Sequence, residues 1–94
     1  TGPQPRLVDV SGTGVRVLGD RLGGNAVFDW PASGLHPGFL KWLDGLSEQR
    51  EYVVVILRPS GLARYGDVRA GIAARNLSMG VELISESMTV VVKD

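Results

Sequence analysis

Residues 53 to 57 read Val-Val-Val-Ile-Leu, an apolar run that follows Tyr52 and stops at Arg58 and Pro59. The run has no polar alternation, so it cannot be an edge strand with one wet face. It predicts a strand in the middle of a sheet with both faces covered. Beyond the Pro59-Ser60-Gly61 loop, a second amphipathic segment runs from about Leu62 or Tyr65 to Asn76 and reads as a helix. Strand followed by helix places the chain in the α/β class, in its two-layer α+β form.

The flanking segments complete the plan. Leu7 to Val10 and Val15 to Leu18 are short β-type runs, and the Ser11-Gly12-Thr13-Gly14 stretch between them supplies a hairpin turn. Gly19, Asp20, Gly23, Gly24 and Asn25 mark a second turn, and Ala26 to Trp30 reads as a third strand ended by Pro31. Pro37 stands where a first helical position tolerates a missing amide hydrogen. Phe39, Leu40, Leu43 and Leu46 then follow at helical spacing, to an expected end near Ser47. Gly80 is expected to close the second helix, with Val81 to Ile84 and Met88 to Val92 as final strands around a Ser85-Glu86-Ser87 turn. The predicted order is β-β-β-α-β-α-β-β, a mixed sheet of about five to six strands with two helices. Leu7 to Val10 and Met88 to Val92 are the expected sheet edges, open to pairing with a second copy or an extended peptide.

Composition narrows the function classes. The chain of 94 residues carries one core. The Pro-rich opening at Gly2, Pro3 and Pro5, without an initial Met, predicts a linker remnant over residues 1–5 and a single domain over 6–94. Cysteine is absent, which removes disulfides and thiolate chemistry. Ten basic residues balance ten acidic ones, so no long-range field steers the domain onto nucleic acid. No apolar run approaches the roughly 18 residues that cross a bilayer.

No residue set matches a catalytic or metal motif, and no cofactor is expected. The one constellation with ligand-binding chemistry lies at the start of the second helix. Arg58, Ser60, Gly61 and Arg64 combine backbone amides, a hydroxyl and two guanidinium groups, a pattern suited to an anion or to a capped helix with solvated arginines. The spacing is neither a P-loop nor a dinucleotide fingerprint. Arg69 falls in mid-stripe on the apolar face of this helix, with Tyr65, Val68 and Ile72 to one side and Gly66, Ala73 and Leu77 to the other. It is therefore expected to lay its methylenes along the core and either snorkel to solvent or pair with a carboxylate such as Glu82 or Glu86, or else to form part of an interface or ligand pocket. His36 is the only histidine and precedes Pro37, which suggests a helix-start residue; Asp29 is its nearest acidic neighbour in sequence. Asp29 and Asp44 form no recognisable carboxylate pair. Trp42 is expected in the core, one turn from Phe39 and Leu46, while Trp30 could serve a core or an interface.

With this order of elements, the segment VVVILRPSG…YGDVRAGIAARNLSMGVELI resembles the soluble domain of the ExbD/TolR family of biopolymer-transport proteins. Residues 6 to 92 can be laid on that family's plan. The resemblance implies a non-enzymatic, periplasmic cell-envelope domain. Such a domain dimerises and couples an inner-membrane motor to an envelope protein or to peptidoglycan. Two departures stand out. The family's transmembrane helix with its proton-linked Asp does not occur in these residues, and the often acidic end of the buried strand is here Arg58-Pro59.

Overall fold

A computed structural model describes residues 2–19 and 26–91. The elements are β1 (Gln4–Ser11), β2 (Gly14–Leu18), β3 (Val27–Phe28), α1 (Pro37–Asp44), β4 (Glu51–Leu57), a 3₁₀ helix (Pro59–Arg64), α2 (Tyr65–Ala73) and β5 (Met79–Leu83). The strands form one five-stranded sheet in the order β3-β2-β1-β4-β5. β1 pairs antiparallel with β2 and parallel with β4, β2 pairs antiparallel with β3, and β4 pairs parallel with β5. This is the expected mixed-sheet α+β architecture with two helices.

The apolar run becomes β4, hydrogen-bonded on both sides, as its composition requires. Its cover is asymmetric. Val53, Val55 and Leu57 join Val8, Val10, Val15 and Val17 on one face, where Phe39 and Leu43 of α1 and Val68 and Ile72 of α2 complete the core. Successive strand residues point to opposite faces, so Tyr52, Val54 and Ile56 occupy the face without helices. There Tyr52 and Val54 are half-buried and Ile56 is buried. Helices therefore cover one face of the run, not both. Each fully buried Val or Leu contributes about 1.5–3 kcal/mol, and the alternating positions of three adjacent strands supply most of the core.

Several boundaries differ from the sequence expectation. β1 starts at Gln4, whose amide donates to the Arg50 carbonyl at 2.8 Å, so residues 4 and 5 are strand and not linker. Leu7 to Val10 is no edge, because β4 docks in parallel along the free side of the hairpin and makes β1 the centre of the sheet. The third strand is confined to Val27 and Phe28. α1 stops at Asp44, where the Gly45 amide turns back onto the Lys41 and Trp42 carbonyls. α2 is stopped by Asn76 in the left-handed conformation (φ 58°), with the Leu77 amide reaching the Ile72 carbonyl, and Gly80 lies inside β5. Residues 88–91 are not strand, and Val92 lies outside the described residues, as do Asp20 to Asn25 of the second expected turn. No helix among the described residues is long and apolar enough to cross a membrane.

Candidate functional site

The parallel strands β1, β4 and β5 end together, and the residues that leave them meet at one end of the sheet. β4 runs straight into Arg58, whose extended backbone (φ −95°, ψ 154°) continues the strand while Pro59 begins the 3₁₀ helix. The Arg58 guanidinium holds both oxygens of Asp9 on β1, Nε to Oδ1 at 2.9 Å and Nη2 to Oδ2 at 2.8 Å. Its Nη1 donates to the carbonyls of Ser85 (3.2 Å) and Glu86 (2.8 Å) in the turn after β5. One planar side chain thus ties the ends of the three strands together through a forked pair with little solvent access. Hydrogen bonding to Asp9, with the negative charge of Asp9 and Glu86, holds this guanidinium even more firmly protonated than usual.

Ser60 and Glu86 form the second half of the junction. The Ser60 amide donates to Glu86 Oε1 (2.8 Å), its hydroxyl donates to Oε2 (2.7 Å), and the Gly12 amide of the hairpin turn donates to Ser60 Oγ (2.8 Å). Two hydrogen bonds from Ser60 and the charge of Arg58 hold the Glu86 carboxyl below its ordinary value. The Ser60 donors expected to receive an anion therefore already hold the Glu86 carboxylate, and Arg58 holds that of Asp9.

The other candidate residues separate. Gly61 is buried, its amide donates to the Arg58 carbonyl at 2.9 Å, and a Cβ there would lie 2.6 Å from the Val10 carbonyl oxygen. Gly61 thus serves a close approach of the 3₁₀ helix to β1, in place of an open anion site. Arg64 lies over the Trp30 ring, 5.3 Å from its centroid, and the Trp30 indole donates to the Ser11 carbonyl at 2.7 Å. Arg69 is exposed and makes no ion pair with any described residue; Glu86, one of its two expected partners, belongs to Ser60 and Arg58. The buried stripe of α2 centres on Val68 and Ile72 and leans towards Gly71, where a Cβ would meet Leu35 at 2.7 Å. Gly66 and Ala73 carry too little apolar surface to mark a face, and both are exposed on the far side, so Arg69 falls beside the stripe.

His36 caps α1, its Nδ1 accepting from the Gly38 amide at 2.9 Å, which places the proton of the neutral ring on Nε2, 3.7 Å from Asp29 Oδ1. Asp44 accepts from Arg75 Nε at 2.7 Å. Trp42 stacks on Phe39 at 5.9 Å against the core. Among the described residues no group of three or more His, Asp or Glu converges where a metal could be held.

Two concave regions flank the Arg58 junction. An open polar cleft of about 590 Å³ lies over the helix-free face at the hairpin end, between Asp9, Arg16 and Glu86. A smaller apolar cleft of about 170 Å³ lies at the end of β5, formed by Leu57, Pro59, Leu62, Leu83 and Ile84 with the Arg58 stem. The sheet closes at β3 with two residues and at β5 with five, and the apolar cleft adjoins the longer edge. Val81 is 41% exposed, Leu62 60% and Leu83 75%. Asp9 and Glu86, the carboxylates that saturate Arg58 and Ser60, gave no signal in sequence because they lie 49 and 26–28 positions away from them. Comparison with protein-family models, with curated proteins and with solved structures finds no match to this chain.

Proposed function

We propose that this chain is a non-enzymatic interaction domain of ExbD/TolR type. It acts in the cell envelope by dimerising and by binding an envelope protein or peptidoglycan. The observation that carries the reading is the β5 edge, a strand with no neighbour on its outer side among the described residues and with Val81, Leu83 and Leu62 exposed around it. A sheet edge offers unpaired backbone donors and acceptors, and neighbouring apolar side chains add affinity to main-chain pairing. The Arg58 junction supports the same reading from the inside. It fixes the end of β5 against β1 and β4, so the edge is held ready and its ordering need not be paid for on binding.

Sedimentation velocity across a concentration series, with co-sedimentation on purified peptidoglycan and titration with extended envelope peptides, tests the proposal. A chain that stays monomeric and binds neither peptidoglycan nor any such peptide refutes it. The small-anion alternative, built on Arg58, Ser60, Gly61 and Arg64, has less behind it. The donors of the first three are engaged within the protein, and Arg64 lies on Trp30. Thermal shift against sulfate, phosphosugars and nucleotides separates the two, since a ligand at 100 times its Kd adds about 2.7 kcal/mol.

A further inference from the structure

We infer that β5 pairs with β5 of a second copy, antiparallel and centred on Val81, so that the two five-stranded sheets continue as one. The inference rests on the interaction-domain reading above and names the partner and register for its edge. β5 has few of the usual protections of an edge strand: Met79-Gly80-Val81-Glu82-Leu83 contains no Lys, no Pro and no bulge, and Glu82 is its one charged side chain. The opposite edge is protected by its brevity.

The hydrogen-bond phase of the ladder selects the centre. Val53 donates to the Ser78 carbonyl at one end of the β4–β5 pairing, and Ile84 donates to the Leu57 carbonyl at the other. In a parallel ladder, alternate residues of a strand serve one neighbour. Ser78, Gly80, Glu82 and Ile84 therefore face β4, and Met79, Val81 and Leu83 turn their N–H and C=O groups outwards. A two-fold axis through Val81 sets Val81 against Val81 of the second copy and Met79 against its Leu83. All of these are hydrogen-bonded pairs that exchange both bonds.

Side chains agree with that choice. Met79, Val81 and Leu83 share the helix-bearing face, in register with Val53, Val55 and Leu57, so the junction continues the apolar layer and covers Val81 and Leu83. On the other face Glu82 meets Gly80 of the second copy. Moving the axis to Glu82 would set two carboxylates opposite each other in a close non-hydrogen-bonded pair. Moving it to Gly80 would set Leu83 against Leu77, which is already buried at 6% exposure. A shift by one residue would put apolar side chains opposite polar ones. The Val81 register alone uses the whole strand.

Charge exchange at the axis tests the pairing. In sedimentation velocity the wild type is expected to dimerise with rising concentration, and Val81→Lys and Val81→Glu, each with a like charge opposite itself, are expected to stay monomeric. An equimolar mixture of the two is expected to regain the dimer. Thermal unfolding of each variant confirms that it is folded. Independently, a Cβ added at Gly80 would meet no atom within 4 Å, so the isolated chain accommodates a side chain there. Gly80→Lys should tighten the dimer through Glu82 of the second copy, and Gly80→Asp should weaken it, both effects shrinking with added salt. A dimer indifferent to all four substitutions overturns the β5 pairing but leaves the interaction-domain reading standing. A wild type that is monomeric throughout yet binds an envelope peptide also removes this inference alone, and one that binds nothing removes both.

Discussion

Arg58 and Asp9 should behave as one energetic unit, and a double-mutant cycle measures how much of the fold depends on it. Their side chains are only 13% and 11% exposed, and the fork makes two charge-assisted hydrogen bonds of 2.8 and 2.9 Å. Removing one partner from such a pair leaves the other charge poorly solvated. Fully buried pairs lose about 3–5 kcal/mol when broken. Allowing for the solvent that still reaches this end of the sheet, Arg58→Met and Asp9→Leu should each cost about 2–3 kcal/mol. The double variant replaces the pair with apolar side chains of similar reach and should cost less than the sum of the singles by about 1–2 kcal/mol. Urea unfolding followed by tryptophan fluorescence gives all three values, with Trp30 bonded to the neighbouring Ser11 carbonyl as a local reporter. A coupling below about 0.5 kcal/mol would mean a solvent-screened surface pair, and the account of Arg58 as the tie between three strands would then fail.

Other expectations follow from single contacts. Gly61→Ala drives a methyl group against the Val10 carbonyl and should cost about 1–3 kcal/mol in urea unfolding; an unchanged midpoint contradicts the close approach. The Glu86 carboxyl titrates lower in the folded chain than its ordinary value of 4.5, so its contribution is present above that pH and is lost as pH falls towards the folded value. Glu86→Gln should flatten the acid limb of a stability–pH profile, and an unaltered limb argues against the Ser60 contacts. Arg69→Leu should leave the unfolding midpoint within about 0.5 kcal/mol of wild type, because the side chain is exposed beside the stripe and not on it.

The elements themselves were legible in the sequence because they rest on local patterns. The unbroken run Val53 to Leu57 announces an internal strand, Gly12 and Thr13 announce the hairpin, and Pro37 with Phe39 and Leu43 announces α1. His36 was legible as a helix-start residue, since its side chain acts two residues away. The α2 face was misread because glycine and alanine count as apolar yet bury almost nothing, so Gly66 and Ala73 drew Arg69 onto a stripe that leans the other way, to Gly71.

Local pattern was enough for the fold class, the order of elements through β5 and the presence of a basic strand-to-helix loop, because hydrophobic periodicity, proline and glycine act within a few residues. Which strand became the edge, and what the loop does, depended on long-range packing. β4 docks in parallel beside β1, which buries one expected edge, leaves β5 outermost, and brings Asp9 and Glu86 onto Arg58 and Ser60 from opposite ends of the chain. Contacts between residues so distant in sequence follow from how strands are ordered in the sheet, and strand order leaves no mark in local composition.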